Sequence, residues 1–121
     1  MATISRNILS GSTNGRPLAL AVDSGTYTTV HTVTSTAADF EVVWLYLSNI
    51  STAQELVSIR IGGTADGDTI KVKVPAESTV LALPGVTIKG DGGSGVVITA
   101  ASTTSGKVNC TGYINLIDDA A

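Results

Sequence analysis

Hydrophobic and polar residues alternate with a period of two through much of this chain. Ile70, Val72 and Val74 are separated by Lys71 and Lys73, and Val57, Ile59 and Ile61 by Ser58 and Arg60. Such runs predict strands that bury one face and wet the other. In the last run Val108, Cys110, Ile114 and Leu116 share one face, while Asn109, Thr111, Tyr113 and Asn115 share the other. Gly112 among them permits a bulge or close packing. The stretch 40–47 is apolar almost throughout, broken by Glu41, and reads as a strand buried on both faces. Eight strands are predicted, at 18–23, 26–34, 40–49, 55–62, 68–74, 79–83, 95–101 and 107–117. Turn residues punctuate them: Asp23-Ser24-Gly25 predicts a tight hairpin, Gly62-Gly63 and Asp66-Gly67 bracket a loop, Pro75 and Pro84-Gly85 end runs, and 90–95 is a further hairpin turn. No 11-residue window carries a 3.6-residue period with cap signals, and 51–56 has room for one helical turn.

These elements predict an all-β domain, an antiparallel β-sandwich of about eight short strands. A jelly roll is the first topology and a seven-strand immunoglobulin-like sandwich the second. The Ser/Gly/Asn-rich segment 10–15 sets off the first residues. The expected organisation is therefore a short N-terminal arm, residues 1–11, followed by a single β-sandwich domain, residues 12–121. Composition strengthens the strand reading, because β-branched Val, Ile and Thr make up about a third of the 121 residues. A chain of 12.2 kDa should expose roughly 6,000 Å² when folded, enough burial for a core without staples.

Charge narrows the partners. Seven Lys plus Arg stand against ten Asp plus Glu, a formal net charge of −3, and the cations are scattered rather than striped, so no nucleic-acid partner is expected. Cys110 is the single cysteine, so no intrachain disulfide forms, and a reducing cytosol suits the chain. The N-terminal residues lack the apolar run of a signal peptide, and no stretch approaches a membrane span. The sequons at Asn49 and Asn109 read as chance matches.

Catalytic chemistry is poorly supplied. Residues 90–95, Gly-Asp-Gly-Gly-Ser-Gly, match the dinucleotide fingerprint by letter, but a strand follows where that motif needs a helix. His31 is the only histidine, predicted as a satisfied or exposed strand residue. A Cys110–His31 dyad is disfavoured because Cys110 belongs to an apolar face, where burial keeps a thiol inert. Asp66 and Asp68 could hold a Ca²⁺ but lack the spacing of a ligand loop. Glu41, Glu55 and Glu77 offer carboxylates that no spacing pairs. The expectation is no catalytic residue, no metal, no cofactor and no enzymatic activity.

Contact chemistry is better supplied. Phe40, Trp44 and Tyr46 alternate on one strand; they read first as core filling, then as a subunit contact, then as a carbohydrate platform. A sandwich core absorbs one face of 40–47, which leaves Trp44, Leu45 and Tyr46 as candidate subunit-interface residues. The arm offers Ile4, Arg6, Ile8 and Leu9, which either order against a partner or form an edge strand of the domain.

Several short phrases occur in a familiar order: 12–18 Ser-Thr-Asn-Gly-Arg-Pro-Leu, 43–49 Val-Trp-Leu-Tyr-Leu-Ser-Asn, 59–64 Ile-Arg-Ile-Gly-Gly-Thr, 69–74 with Pro75-Ala76-Glu77-Ser78, Leu83-Pro84-Gly85 and Gly112-Tyr113-Ile114-Asn115. In them the chain resembles the small head proteins of tailed bacteriophages, the capsid decoration or cement proteins, from residue 10 onward. The resemblance implies a compact β domain, made in the bacterial host cytoplasm and mounted on the capsid exterior of the virion. It further implies a homotrimer at threefold or quasi-threefold positions, with the major capsid protein as partner and neighbouring coat subunits bridged. Ile4, Arg6, Ile8 and Leu9 would then contact the capsid. Other readings are a head-fibre base, neck or tail protein and, from another class, a small carbohydrate-binding β-sandwich. No nucleic-acid or membrane partner is implied.

Overall fold

The computed structural model describes residues 2–119. Its elements are β1 (Ala2–Ile8), β2 (Leu18–Ala19), β3 (Ala21–Val22), β4 (Thr28–Thr32), β5 (Phe40–Asn49), β6 (Glu55–Ile61), a 3₁₀ turn at Asp66–Asp68, β7 (Thr69–Val74), β8 (Thr79–Lys89), β9 (Val97–Ser102) and β10 (Val108–Asp119). Two five-stranded sheets result. Sheet A runs β1-β10-β5-β8 with β2 also on β10; sheet B runs β3-β9-β6-β7 with β4 also on β9. The antiparallel pairs are nested: β6 with β7, β5 with β8, β4 with β9, and β1 and β2 with β10. Successive pairs fall alternately in sheets B and A, so one long hairpin folds over on itself, which is the jelly-roll sandwich that the strand pattern predicted. The short β3 runs parallel to β9.

Three local expectations need correction. The predicted strand 18–23 is two pieces, β2 in sheet A and β3 in sheet B, with Leu20 buried at the crossing. The turn at Asp23-Ser24-Gly25 forms, with the Gly25 N–H donating to the Val22 carbonyl at 3.1 Å. However, it joins strands that both pair with β9 rather than with each other, so it is not a hairpin. Pro84-Gly85 does not end a strand, because β8 continues to Lys89. Two register shifts against β5, at Val43/Trp44 and Leu45/Tyr46, absorb the extra residues. An edge strand tolerates the proline that a central strand would exclude.

Gly112 serves close packing. A Cβ there would lie 2.0 Å from the Trp44 carbonyl oxygen, while β10 and β5 pair around it without a register shift. The core lies between the sheets, built from Val43, Leu45 and Leu47 of β5, Val57 and Ile59 of β6, Ile98 of β9, and Val108, Cys110 and Ile114 of β10. The folded surface is 6210 Å², in line with the scaling expectation. Of the two readings of residues 2–8, the edge strand is the one adopted: β1 pairs with β10 from Ala2↔Asp119 to Ile8↔Tyr113.

Candidate functional site

Strand alternation sorts β5 into two rows. Glu41, Val43, Leu45, Leu47 and Asn49 point inward and are buried; Phe40, Val42, Trp44, Tyr46 and Ser48 point outward. Leu45 is fully buried, so the expectation that it contacts another subunit is corrected: its parity places it in the core, whereas Trp44 and Tyr46 lie on the outer face. The same parity overturns the first reading of Phe40, Trp44 and Tyr46 as core filling. Leu9 is likewise buried, because the chain turns inward after β1, and it is removed from the contact set.

Cross-strand register extends this outer row over the whole of sheet A. On β10, Ile117 stands opposite Phe40, Asn115 opposite Val42 and Tyr113 opposite Trp44. On β1, Ile4 stands opposite Ile117, Arg6 opposite Asn115 and Ile8 opposite Tyr113. On the other flank Leu81 of β8 stands opposite Tyr46, Pro84 opposite Trp44 and Lys89 opposite Phe40. The arm residues Ile4, Arg6 and Ile8 and the strand residues Trp44 and Tyr46, separate candidates in the sequence, thus share one surface. Ile4 is 72% exposed, Ile8 51%, Leu81 42% and Phe40 36%. Sequence reasoning assigned no contact role to Tyr113, Leu81 or Lys89. Tyr113's signal is its parity opposite to Cys110 and Ile114, whereas Leu81 and Lys89 are placed by shifts in register that leave no mark in the sequence.

The centre of the face is an aromatic stack. Trp44 and Tyr113 stack with centroids 6.0 Å apart and planes 17° from parallel. The Arg6 guanidinium sits 4.5 Å from the Tyr113 ring centre and the Lys89 ammonium 5.7 Å from that of Phe40, so both cations cap aromatic rings. Gly85, at φ 78°, lets β8 pass beneath the indole: a Cβ there would meet Trp44 Cζ2 at 3.0 Å. The Trp44 Nε1 donor is itself buried and has no hydrogen-bond partner among the described residues, the cost of seating the indole ring down on the sheet.

The candidate chemical residues are used structurally. His31, on β4, lies 2.5 Å through Nε2 from Glu41 Oε1, on β5 of the opposite sheet. Its Nδ1 accepts the Ser10 N–H at 3.0 Å, and Glu41 Oε2 accepts the Thr34 N–H at 2.7 Å. An Nδ1 acceptor assigns the proton to Nε2, which donates to Glu41. This buried pair ties the two sheets together and holds the turn after β1. Glu55 is buried and accepts hydrogen bonds from the Thr103 and Thr104 hydroxyls. Cys110 is buried in the core, where desolvation pushes its thiol up to about 12. Asp68, on the exposed 3₁₀ turn, accepts the Ala65 N–H. Asn49 is buried, its amide donating to the Ala53 and Val74 carbonyls.

The glycine-rich loop at 90–95 crosses from β8 in sheet A to β9 in sheet B, so it too is not a hairpin turn. Asp91 Oδ1 accepts the Gly93 and Gly95 N–H groups. An open hollow of roughly 430 Å³ beside it is lined by Gly62, Gly63, Thr64, Asp91, Ser94 and Thr99, among others. Asp91 is the one ionisable group of that lining, which offers no nucleophile–base pair.

No family model matches the chain, and no curated protein matches it. Among solved structures, it is similar to a chain of the T13 IBDV viral particle, from work on the evolution of icosahedral viruses, with a TM-score of 0.52 at 10% identity. The match covers 96% of this chain and 31% of that one. The likeness is one of fold: nearly the whole domain corresponds to less than a third of that viral protein.

Proposed function

We propose that the domain is a structural component of a viral particle, mounted on its exterior as a decoration or cement protein that bridges neighbouring coat subunits. It works by shape and surface, without turnover or cofactor. The observation that carries this reading is the outer face of sheet A, where Phe40, Trp44, Tyr46, Tyr113 and Leu81 form an apolar and aromatic strip flanked by Thr111 and Asn115. Surfaces of that kind mark protein contacts. The fold likeness to a viral-particle chain and the resemblance to phage head proteins support the same assignment. Bound copies gather as trimers at threefold positions, and the major capsid protein is the partner. A head-fibre, neck or tail address uses the same surface.

The stacked Trp44–Tyr113 pair favours one second reading, a carbohydrate-binding module, since such rings bind sugar faces. The test mixes the protein with particles lacking it and measures co-sedimentation and stoichiometry. The expected result is saturable binding in multiples of three copies per site, abolished by Trp44→Lys with the β fold retained by circular dichroism. Absence of particle binding together with a positive glycan array would establish the second reading instead.

A further inference from the structure

The sandwich has four edges, and three of them are protected against pairing with another strand. Edge β8 contains Pro84, two register shifts and a terminal Lys89. Edge β7 presents Lys71 and Lys73, both exposed. The edge beside β9 is broken into β3 and β4, which run in opposite senses, with a further register shift between Thr29 and His31. The fourth edge, β1 followed along β10 by the two-residue β2, is uninterrupted over the whole length of β1. Strand β1 is a seven-residue run, Ala-Thr-Ile-Ser-Arg-Asn-Ile, paired with β10 without a register shift and containing no proline, lysine or carboxylate. Its one charge, Arg6, caps the Tyr113 ring on the outer face.

All seven residues are exposed. The strand therefore gains little side-chain burial for its ordering and is held mainly by its ladder to β10 and the Arg6–Tyr113 contact, while alternate backbone N–H and C=O groups point away from that ladder. From Leu9 onward the chain is fixed, Leu9 by burial, Ser10 by His31, and Gly11 by donation to the Val30 carbonyl at 2.9 Å. The edge is thus presented on a firm mount.

We propose that β1 is a self-pairing edge: two copies of this chain join antiparallel through β1, continuing sheet A across a twofold axis. An unpaired backbone edge is complementary to an extended strand, and this strand is complementary to itself. Antiparallel partners face the same side of a sheet, so Ala2, Ile4, Arg6 and Ile8 of both copies extend the apolar outer row, and Thr3, Ser5 and Asn7 the polar one. The register that pairs all seven residues puts Ser5 on the axis, Ile4 opposite the partner's Arg6 and Ala2 opposite the partner's Ile8. The pairing leaves the centre of the outer face free, so it coexists with particle docking through Trp44 and Tyr113.

Sedimentation velocity over a concentration series tests this on the full chain. The expected species is twice the 12.2 kDa chain mass. Ile4→Lys, at an exposed position that leaves folding intact, opposes the partner's Arg6 twice per dimer and should weaken pairing by about tenfold. Ile4→Glu should retain or tighten it, and Leu81→Lys, on the outer face away from β1, should leave it unchanged. Ser5→Cys should cross-link to a covalent dimer under mild oxidation faster than Ser105→Cys in an exposed turn; Cys110, buried, stays silent in both.

A 12.2 kDa species at every concentration, a three-chain species in solution, or cross-linking of Ser5→Cys no faster than the control overturns the pairing. Each of these leaves the decoration reading to its own particle-binding test. A dimer that fails to bind particles overturns that reading alone.

Discussion

The outer faces of the two sheets are built by the same alternation and end up opposite in character. On sheet A the outward row of β5 and β10 presents Phe40, Val42, Trp44, Tyr46, Tyr113 and Ile117, interleaved with the uncharged polar residues Ser48, Asn109, Thr111 and Asn115. On sheet B the outward positions of β6 and β7 are Leu56, Ser58 and Arg60 opposite Lys73, Lys71 and Thr69, with Ser58 buried and the two lysines exposed. Arg60 lies 3.9 Å from the Tyr27 ring centre, so sheet B uses its aromatic residue to seat a cation within a polar face. Sheet A uses cations to border an apolar one. Both sheets bury comparable aliphatic rows, so the fold itself does not require the difference. A wet surface takes charge at alternate positions; one kept apolar at the same positions gains only the packing of its own rings on folding, and its remaining exposed area is accounted for by a partner.

The largest effect that tests this contrast comes from neighbouring residues on β5. Leu45→Asp puts a carboxylate into a fully buried site and should cost more than about 4 kcal/mol, enough to unfold a domain of this size. Tyr46→Asp changes the outer face and should cost about 1 kcal/mol while removing particle binding. Urea denaturation paired with co-sedimentation distinguishes them. If Tyr46→Asp unfolds the protein as Leu45→Asp does, the outer face is part of the folding core and the contrast between the sheets fails.

Sequence pattern revealed the layers better than the surfaces. Period two in 57–61 and 70–74 placed β6 and β7 within a residue or two, because each strand has one wet face and lysine or arginine marks it. In 40–49 both faces are apolar, so the boundaries were legible but the inward row was not. Glu41, the polar interruption, is itself on the inward face, where His31 satisfies it. The pairing of arm and interface residues was illegible for a different reason: β10 lies between β1 and β5 in space and at the far end of the chain in sequence. Pro84-Gly85 misled because a proline at a bulged edge strand looks, in one dimension, like a stop.

A test of intermediate size asks whether outer-face variants leave the core beneath sheet A undisturbed. Cys110 on β10 provides the probe. Burial disfavours the thiolate and pushes its thiol up from the ordinary value of 9.0 to about 12 in the folded chain. The folded value is the raised one, so this contribution to stability is full below pH 9 and falls as pH rises from 9 toward 12, because the unfolded chain loses its proton first. At pH 10 the loss should be about 1.4 kcal/mol relative to pH 8, and Cys110→Ala should lack that component. Measuring both proteins by urea denaturation at the two pH values isolates the thiol from other groups. The same difference in a Trp44→Lys background would show the core intact under an altered face; its disappearance would show that the outer row props up the inner one.

The smallest effect belongs to sheet B. Lys71 and Lys73 are exposed on an edge strand and form no ion pair among the described residues, so Lys71→Glu with Lys73→Glu should shift stability by less than about 0.5 kcal/mol. Particle binding should be unchanged, because the wet face has no apolar centre to desolvate. A loss of binding as large as that of Tyr46→Asp would move the contact to sheet B and make the apolar face of sheet A the site of some other association. Retention of binding alongside new aggregation would assign the two lysines their other role, keeping edge β7 closed to strands from neighbouring molecules.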